Sequence, residues 1–327
     1  MSSEKPELPE DEESTVDAAL ERGLLRQPLD AEAVARVRRA VEAEFRSQYG
    51  RRRRVPIWTV AMAAVLACIT VLASLMWFLA EDGVPVGQVA RIENGGLEAR
   101  SSVFRQHDLK VGDAVPGGRR VASGGTSIIA LAQGGTLRVA PGAVLIGTGP
   151  NDVELIAGRV FLDFPADAGP FVLRTSVGSI EHVGTQFEVL VREGDTRIRV
   201  REGSVRMRTR TDAQVVEAGN EIMVTQAGTI TRRSIPTYGP DWAWVEAIAP
   251  DFDIEDRELA DFLNWVARET GRHVEFADER AREIARRTRL HGSVHGLAPL
   301  EALQRVLSTT SLRAEVQADV IRLSSQQ

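Results

Sequence analysis

The longest apolar run of the chain extends from Ile57 to Ala80 and contains no charged residue. About 20 apolar residues in a helix are enough to cross the hydrocarbon layer of a membrane. Arginines occupy positions 51–54 before the run, whereas Glu81 and Asp82 follow it, and clustered arginine is typical of the cytoplasmic end of a span. The pattern therefore predicts one transmembrane helix over 57–80, with the N-terminus in the cytoplasm.

Residues 15–56, which precede this run, show a helical pattern. After Asp30, a residue type that often caps the start of a helix, four apolar residues recur at three- and four-residue steps. They are Val34, Val37, Val41 and Phe45. Such an apolar stripe should pack in a dimer or in the groove of a partner, or else belong to a loosely folded stalk. We expect a shorter helix around 16–25 and a disordered acidic tail over 1–14.

Beyond the span, the pattern changes to short runs of Val, Ile, Leu and Thr separated by glycines. Turn residues at intervals of about 8 to 12 positions indicate many short strands. Residues 86–231 are therefore predicted to form an all-β domain, either a sandwich or a β-solenoid-like stack. Residues 232–250 contain Trp242 and Trp244 between prolines, which favours a linker that packs on a neighbouring domain.

The last segment, residues 251–327, alternates strand-like and helical patterns. Strands are predicted over 252–256, 272–277 and 290–296, helices over 258–270 and 299–310, and a hairpin at the end of the chain. Two strand-helix-strand units predict a small α+β domain.

Composition narrows the range of functions. A net charge of −6 argues against nucleic-acid binding, which usually needs a basic surface. The lone Cys68 lies in the predicted span, so no disulfide can form within the chain. His291 and His295 would lie ~13 Å apart on their predicted strand, too far for one metal ion. Since no catalytic triad or phosphate loop is present either, we expect no enzymatic activity, no cofactor and no metal.

Arginines alternate with apolar residues near Glu202 and Gly203. If these two residues form a hairpin turn, Arg199 faces Arg206 and one face of the hairpin becomes basic. The arginines of that face are Arg197, Arg199, Arg201, Arg206 and Arg208. Like charges placed opposite each other need solvation or an anionic partner. This face is thus either solvated, with help from acids such as Glu188, or a contact for an acidic domain, lipid headgroups or an envelope polymer.

Several stretches of the predicted β domain together resemble the FecR domain of FecR-type regulators of bacterial cell-surface signalling. They are GGTLRVAPGAVL at 134–145, LIAGRVFLDFPADAGPFVLRTSVGSIEHVGTQFEVLV at 155–191, VREGSVRMR at 200–208 and VVEAGNEIMV at 215–224. Within them, GTQFEV at 184–189 is similar to the family pattern G-T-x-F-x-V. Residues 251–327 resemble the short N-terminal (STN) domain of secretins and TonB-dependent receptors.

The resemblance implies a membrane-anchored regulator in the bacterial inner membrane. Its periplasmic part would receive an envelope signal from a TonB-dependent receptor or secretin, and its cytoplasmic part would modulate an extracytoplasmic-function sigma factor as an anti-sigma factor does. The alternative is an adaptor that docks on an envelope polymer, a receptor or a secretin without control of transcription.

The resemblance also implies a site of self-cleavage between Gly184 and Thr185, because some FecR-type regulators are thought to break their own chain there. A Thr hydroxyl can attack the preceding carbonyl to give an ester, provided that the peptide is strained, and glycine tolerates unusual backbone angles. His182 would assist as a base. The alternative is an ordinary turn that leads into a strand whose Phe187 faces the core.

Overall fold

A computed structural model of the chain describes residues 30–49, 83–100 and 106–326. The chain divides into two compact units, Met1–Ser74 and Leu75–Gln327. The predicted tail, the predicted short helix and the predicted span over 57–80 lie outside the described residues. In the part that is described, no helix is both long and apolar enough to cross a membrane.

The first unit contributes one helix, α1 (Ala31–Tyr49). Asp30 begins it as predicted, since its Oδ1 accepts a hydrogen bond from the backbone N–H of Glu32 at 3.1 Å. The four apolar residues of the stripe have exposed side chains, from 49% for Val34 to 65% for Phe45. The prediction of a helix after Asp30 is therefore confirmed.

The second unit begins with fifteen strands that are connected into one sheet. They are β1 (Gly83–Glu93), β2 (Leu97–Arg100), β3 (Gln106–Leu109), β4 (Ala114–Gly117), β5 (Arg120–Ser123), β6 (Thr126–Leu131), β7 (Thr136–Val139), β8 (Val144–Gly149), β9 (Asp152–Asp163), β10 (Val172–Thr175), β11 (Gly178–Arg192), β12 (Asp195–Arg208), β13 (Ala213–Glu217), β14 (Asn220–Val224) and β15 (Ile230–Ser234). Their inward side chains form one apolar core, to which β11 contributes Phe187, Val189 and Val191. The predicted β-rich character of this region is confirmed.

The pairing of these strands can be compared with the two predicted architectures, a sandwich and a β-solenoid-like stack. Along the sheet the order is β15-β14-β12-β11-β10-β9-β7-β6-β1-β4-β8-β5-β2-β3, with β13 beside β12 and further pairings of β9 with β8 and β11. Most neighbours are antiparallel, and parallel pairs join β9 to β10 and β4 to β8. A β-solenoid stacks its coils in parallel, so that prediction is wrong, and the connected sheet also differs from the two separate sheets of a simple sandwich.

The segment after β15 packs on the β domain. It contains a 3₁₀ turn (Pro240–Trp242) and helix α2 (Ala243–Ala247). Trp242 is fully buried, its ring meets that of Phe161 edge-on at 6.1 Å, and its Nε1 donates to the Pro236 carbonyl at 2.9 Å. Indole rings supply large apolar contact and one donor, which accounts for this anchoring.

The last region of the chain is an α+β domain with its own core. Its elements are β16 (Arg257–Glu258), α3 (Leu259–Thr270), β17 (His273–Phe276), α4 (Glu279–Arg287), β18 (Arg289–Leu290), α5 (Pro299–Leu307), β19 (Leu312–Gln317) and β20 (Val320–Ser325). β16 pairs with β18, while β17, β20 and β19 form a three-stranded sheet in which β17 and β20 are parallel. Leu259, Phe262, Leu263 and Val266 of α3 are buried in the core of this domain.

Two of the predicted strands in this domain are wrong. Residues 252–256 form no strand, because Asp253 accepts a hydrogen bond from the Glu255 N–H at 3.0 Å and Asp256 has a φ of 55°. The strand predicted over 290–296 shrinks to β18, since Gly292 and Gly296 adopt positive φ values of 110° and 76°. Turns and irregular backbone therefore occupy most of the two segments, 252–256 and 290–296, in which the first strand of each strand-helix-strand unit was predicted.

Candidate functional site

The Gly184–Thr185 peptide lies inside β11 at a break in its pairing with β12. The register shifts between Val183 and Gln186, and Gly184 has a φ of 55°, in the left-handed region. Gly203 of β12 faces this break with a φ of 72°, and a Cβ placed on it would lie 2.2 Å from the Gly184 carbonyl oxygen. Glycine is therefore required at position 203 for the two backbones to approach, whereas the positive φ favours glycine at position 184.

Thr185 is fully buried, and its hydroxyl Oγ1 has no hydrogen-bond partner in the described part of the chain. Its carbonyl accepts from the Phe164 N–H at 3.0 Å, which fixes the backbone. A buried hydroxyl without a partner costs free energy, and such groups in proteins call for an explanation such as a reactive role. The structure thus brings a left-handed glycine and an unpaired hydroxyl together in adjacent residues.

His182 is packed separately. Its ring stacks on Phe164 at 3.8 Å and 8°, and its Nε2 lies 3.1 Å from the Gly169 carbonyl oxygen. Burial lowers the pKa of His182, which favours the neutral ring, although the hydrogen bond with Gly169 acts in the opposite direction. No hydrogen bond joins His182 to Thr185 among the described residues. The structure does not show the assistance by His182 that the sequence suggested.

The hairpin predicted at Glu202–Gly203 is wrong. The sequence contains Arg-Glu-Gly twice, and the first copy makes the turn: Glu193 and Gly194, with φ values of 53° and 83°, connect β11 to β12. Positive φ at both central residues is what a type I′ turn requires. The second copy lies within β12, where Gly203 lies opposite Gly184 at the break in the pairing of β11 with β12.

The five arginines of the predicted basic face therefore do not share one exposed surface. Arg199 and Arg201 are only 5% and 3% exposed, so they are internal and do not form part of an exposed basic face. Arg206 and Arg208 have half-exposed side chains near Glu181, at 4.0 and 3.2 Å. Only the two arginines past Gly203 keep the exposure that the prediction assumed.

Carboxylates on the strands beside β12 compensate Arg197 and Arg199. Arg199 Nε donates to Glu221 at 2.6 Å. Arg197 Nη2 donates to Glu188 at 3.0 Å, and Trp244 Nε1 donates to the other oxygen of the same carboxylate at 2.7 Å. Glu188 was expected to help solvate an exposed face, but it is itself buried and neutralises an internal one.

A second buried ionic cluster, which the sequence analysis missed, joins the β domain to α3. Arg138 of β7 is fully buried and donates from Nη2 to both carboxylate oxygens of Glu269 at 2.7 and 3.0 Å, and from Nη1 to the Val245 carbonyl at 2.9 Å. Arg268 contacts Asp163 and donates to Glu202 at 2.8 Å. The sequence signal was weak: one arginine among the apolar residues of a short strand.

These features define a class: a β-sheet domain in which a left-handed glycine precedes a buried threonine, fixed by buried ion pairs to a small α+β domain. Residues 119–206 match the family described as "FecR protein". The resemblance to FecR-type regulators is thus confirmed over this region, which includes Gly184, Thr185 and four of the five predicted arginines. The match does not extend to residues 251–327, whose STN resemblance stays a prediction.

Two solved structures are similar to the chain, both described as a candidate anti-sigma factor from Parabacteroides distasonis. Their sequence identities are 14% and 17%, each comparison covers 63% of this chain and 97% of that chain, and each TM-score is 0.33. A comparison with curated proteins found no match.

Proposed function

We propose that the chain is an anti-sigma-type regulator of the FecR kind, without enzymatic turnover, anchored in the bacterial inner membrane by residues 57–80. Residues 1–56 would lie in the cytoplasm and bind an extracytoplasmic-function sigma factor. Residues 83–326 would lie in the periplasm and receive the signal from a TonB-dependent receptor or secretin. The observation that carries the proposal is the FecR match over residues 119–206.

Helix α1 supports the cytoplasmic half of the proposal. Val34, Val37 and Val41 are half to two-thirds exposed on one side of it, at a spacing that suits a helix bound in an apolar groove. Burying one valine contributes roughly 1.5–3 kcal/mol, and a charge buried in its place would add a desolvation cost. A single Val-to-Asp change on this side should therefore weaken partner binding by at least ~2 kcal/mol, or about 30-fold.

The test is co-purification of the full chain with each extracytoplasmic-function sigma factor of its source organism, expressed together with it. Val41→Asp should weaken the complex about 30-fold, so that much less sigma factor co-purifies. Ala43→Asp introduces the same charge on the opposite side of α1 and should leave it intact. If no sigma factor co-purifies, or if both variants bind equally, the adaptor hypothesis gains and the anti-sigma proposal fails.

The proposal includes self-cleavage at Gly184–Thr185, for which the left-handed Gly184 and the unpaired Thr185 hydroxyl are the support. In this step Oγ1 of Thr185 attacks the Gly184 carbonyl carbon, the C–N bond breaks, and the nitrogen takes the proton to become a free amine. Water then hydrolyses the resulting ester. The products are a chain that ends in the Gly184 carboxylate and a chain that begins at Thr185.

A further inference from the structure

A cavity of about 540 Å³ lies where the β domain meets α3 of the C-terminal domain. Gln186 and Gly203 line it from the β domain, and Asn264 and Arg268 line it from α3. Cavities of roughly 300–1,000 Å³ at domain interfaces are the usual sites for small organic ligands. The size and the location of this cavity therefore suit a small molecule.

The charges that line the cavity are mainly positive. Arg201, Arg268 and Arg272 contribute to its wall, and Glu202 is the one carboxylate among its described lining residues. Glu246, which compensates Arg201 at 3.4 Å, does not line the cavity. An occupant would thus face more guanidinium than carboxylate.

Arg201 is the most deeply buried of these three arginines. Its side chain is fully buried, Nε donates to the Thr237 carbonyl at 2.9 Å, and Nη1 has no hydrogen-bond partner in the described part of the chain. Burial lowers the pKa of Arg201 to about 10 in spite of nearby Glu246 and Glu269. An anion in the cavity would offset at short range a charge that the protein compensates incompletely.

A neutral donor is also available. Asn264 is exposed on α3, and its side-chain amide makes no hydrogen bond within the described residues. Guanidinium and amide N–H groups around one cavity match the acceptor oxygens of a carboxylate or phosphate group.

We propose that this junction cavity is a binding site for a small organic molecule that carries a carboxylate or phosphate group. The ligand contacts both domains, so it stabilises their packed arrangement by mass action. This inference does not depend on the proposed sigma-factor partner.

The test is isothermal titration of the full chain, purified in detergent, with succinate, inorganic phosphate and neutral succinamide at constant ionic strength. Succinate or phosphate should bind at millimolar concentration or below, and succinamide should not. The preferred anion identifies whether the site selects carboxylate or phosphate. Asn264→Asp places a negative charge beside the bound oxyanion. Because solvent and salt screen part of the repulsion between the two charges, we expect binding to weaken by about tenfold. Asn264→Lys should strengthen it.

Gln304→Glu is the matched control, because it adds the same charge at an exposed position of α5 outside the cavity. It should bind the anion as the native chain does. Absence of binding by both anions, equal binding of succinamide, or equal affinities of the Asn264 variants and the native chain would each overturn the proposal.

Discussion

The buried pair of Arg138 and Glu269 should be the most sensitive point in the contact between the two domains. Replacing Glu269 by Ala removes two charge-assisted hydrogen bonds at 2.7 and 3.0 Å and leaves a fully buried guanidinium without its main counter-charge. Removing one partner of a buried ion pair typically costs about 3–5 kcal/mol. Asp163, 3.8 Å from Arg138, remains as partial compensation, so we expect about 3 kcal/mol.

The assay is urea unfolding of residues 83–326, followed by tryptophan fluorescence. With a denaturant dependence of about 2 kcal/mol per molar urea, a loss of about 3 kcal/mol lowers the unfolding midpoint by about 1.5 M. Glu279→Ala, which removes an exposed carboxylate of α4, is the control and should shift the midpoint little.

A double variant separates the ion pair from simple packing. Arg138→Met together with Glu269→Leu replaces both charges by apolar side chains, and such replacement is often close to neutral. We therefore expect the double variant to be more stable than Glu269→Ala alone. If Glu269→Ala shifts the midpoint no more than Glu279→Ala does, the reasoning about an uncompensated buried charge is wrong.

Three further predictions concern other parts of the chain. The purified region 83–326 should give two bands on a denaturing gel, the second with Thr185 at its N-terminus, and Thr185→Ala should give one; an uncut native chain under all conditions would refute self-cleavage. The backbone N–H groups of Ser325 and Ala281 donate to Asp278 and lower its pKa below the ordinary 3.8. The stabilising effect of the Asp278 carboxylate is therefore present above pH 3.8 and is lost as the pH falls through the lowered pKa. Asp278→Ala should accordingly lower the urea midpoint at neutral pH, with a difference from the native chain that shrinks in strong acid; a difference independent of pH would contradict this. In a Cys68→Ala background, a cysteine at Thr211 should react with an impermeant thiol reagent in cells with a permeabilised outer membrane, and one at Ser14 should not; the opposite labelling would reverse the proposed topology.

Local patterns predicted the elements that depend on neighbours in sequence. Asp30 and the apolar spacing after it were enough to locate α1, and the apolar side of α3 was equally clear. Helix α4 was missed because its buried residues are the small side chains Ala281 and Ala285, although Asp278 caps it by accepting from the Ala281 N–H at 2.7 Å. A pattern built from alanines carries little hydrophobic signal.

The charged interior could not be predicted in the same way. Whether Arg199 is exposed or buried depends on Glu221, which lies 22 residues away and reaches it only after β14 pairs with β12. The pairing of Arg138 with Glu269 spans 131 residues. Periodicity identifies which residues share a face of a strand, but not what later covers that face.

The same ambiguity applied to the two Arg-Glu-Gly copies. Both copies have the sequence of a two-residue turn, and the turn forms at Glu193–Gly194, next to the Arg192–Asp195 pair at which β11 begins to pair with β12. The Gly184–Thr185 break was visible in sequence only through the family pattern, since its left-handed backbone depends on the close approach of Gly203.

The anchored segment between the domains has a mechanical consequence. Trp242 is buried against Phe161, and Trp244 donates to Glu188, so residues 240–247 are fixed to the β domain. A tensile load applied to the C-terminal domain would act on the Arg138–Glu269 pair, which joins α3 to the β domain. The lifetime of the packed arrangement under load would then depend on how fast these few buried contacts break. The two domains would stay together until the load is large enough to break them.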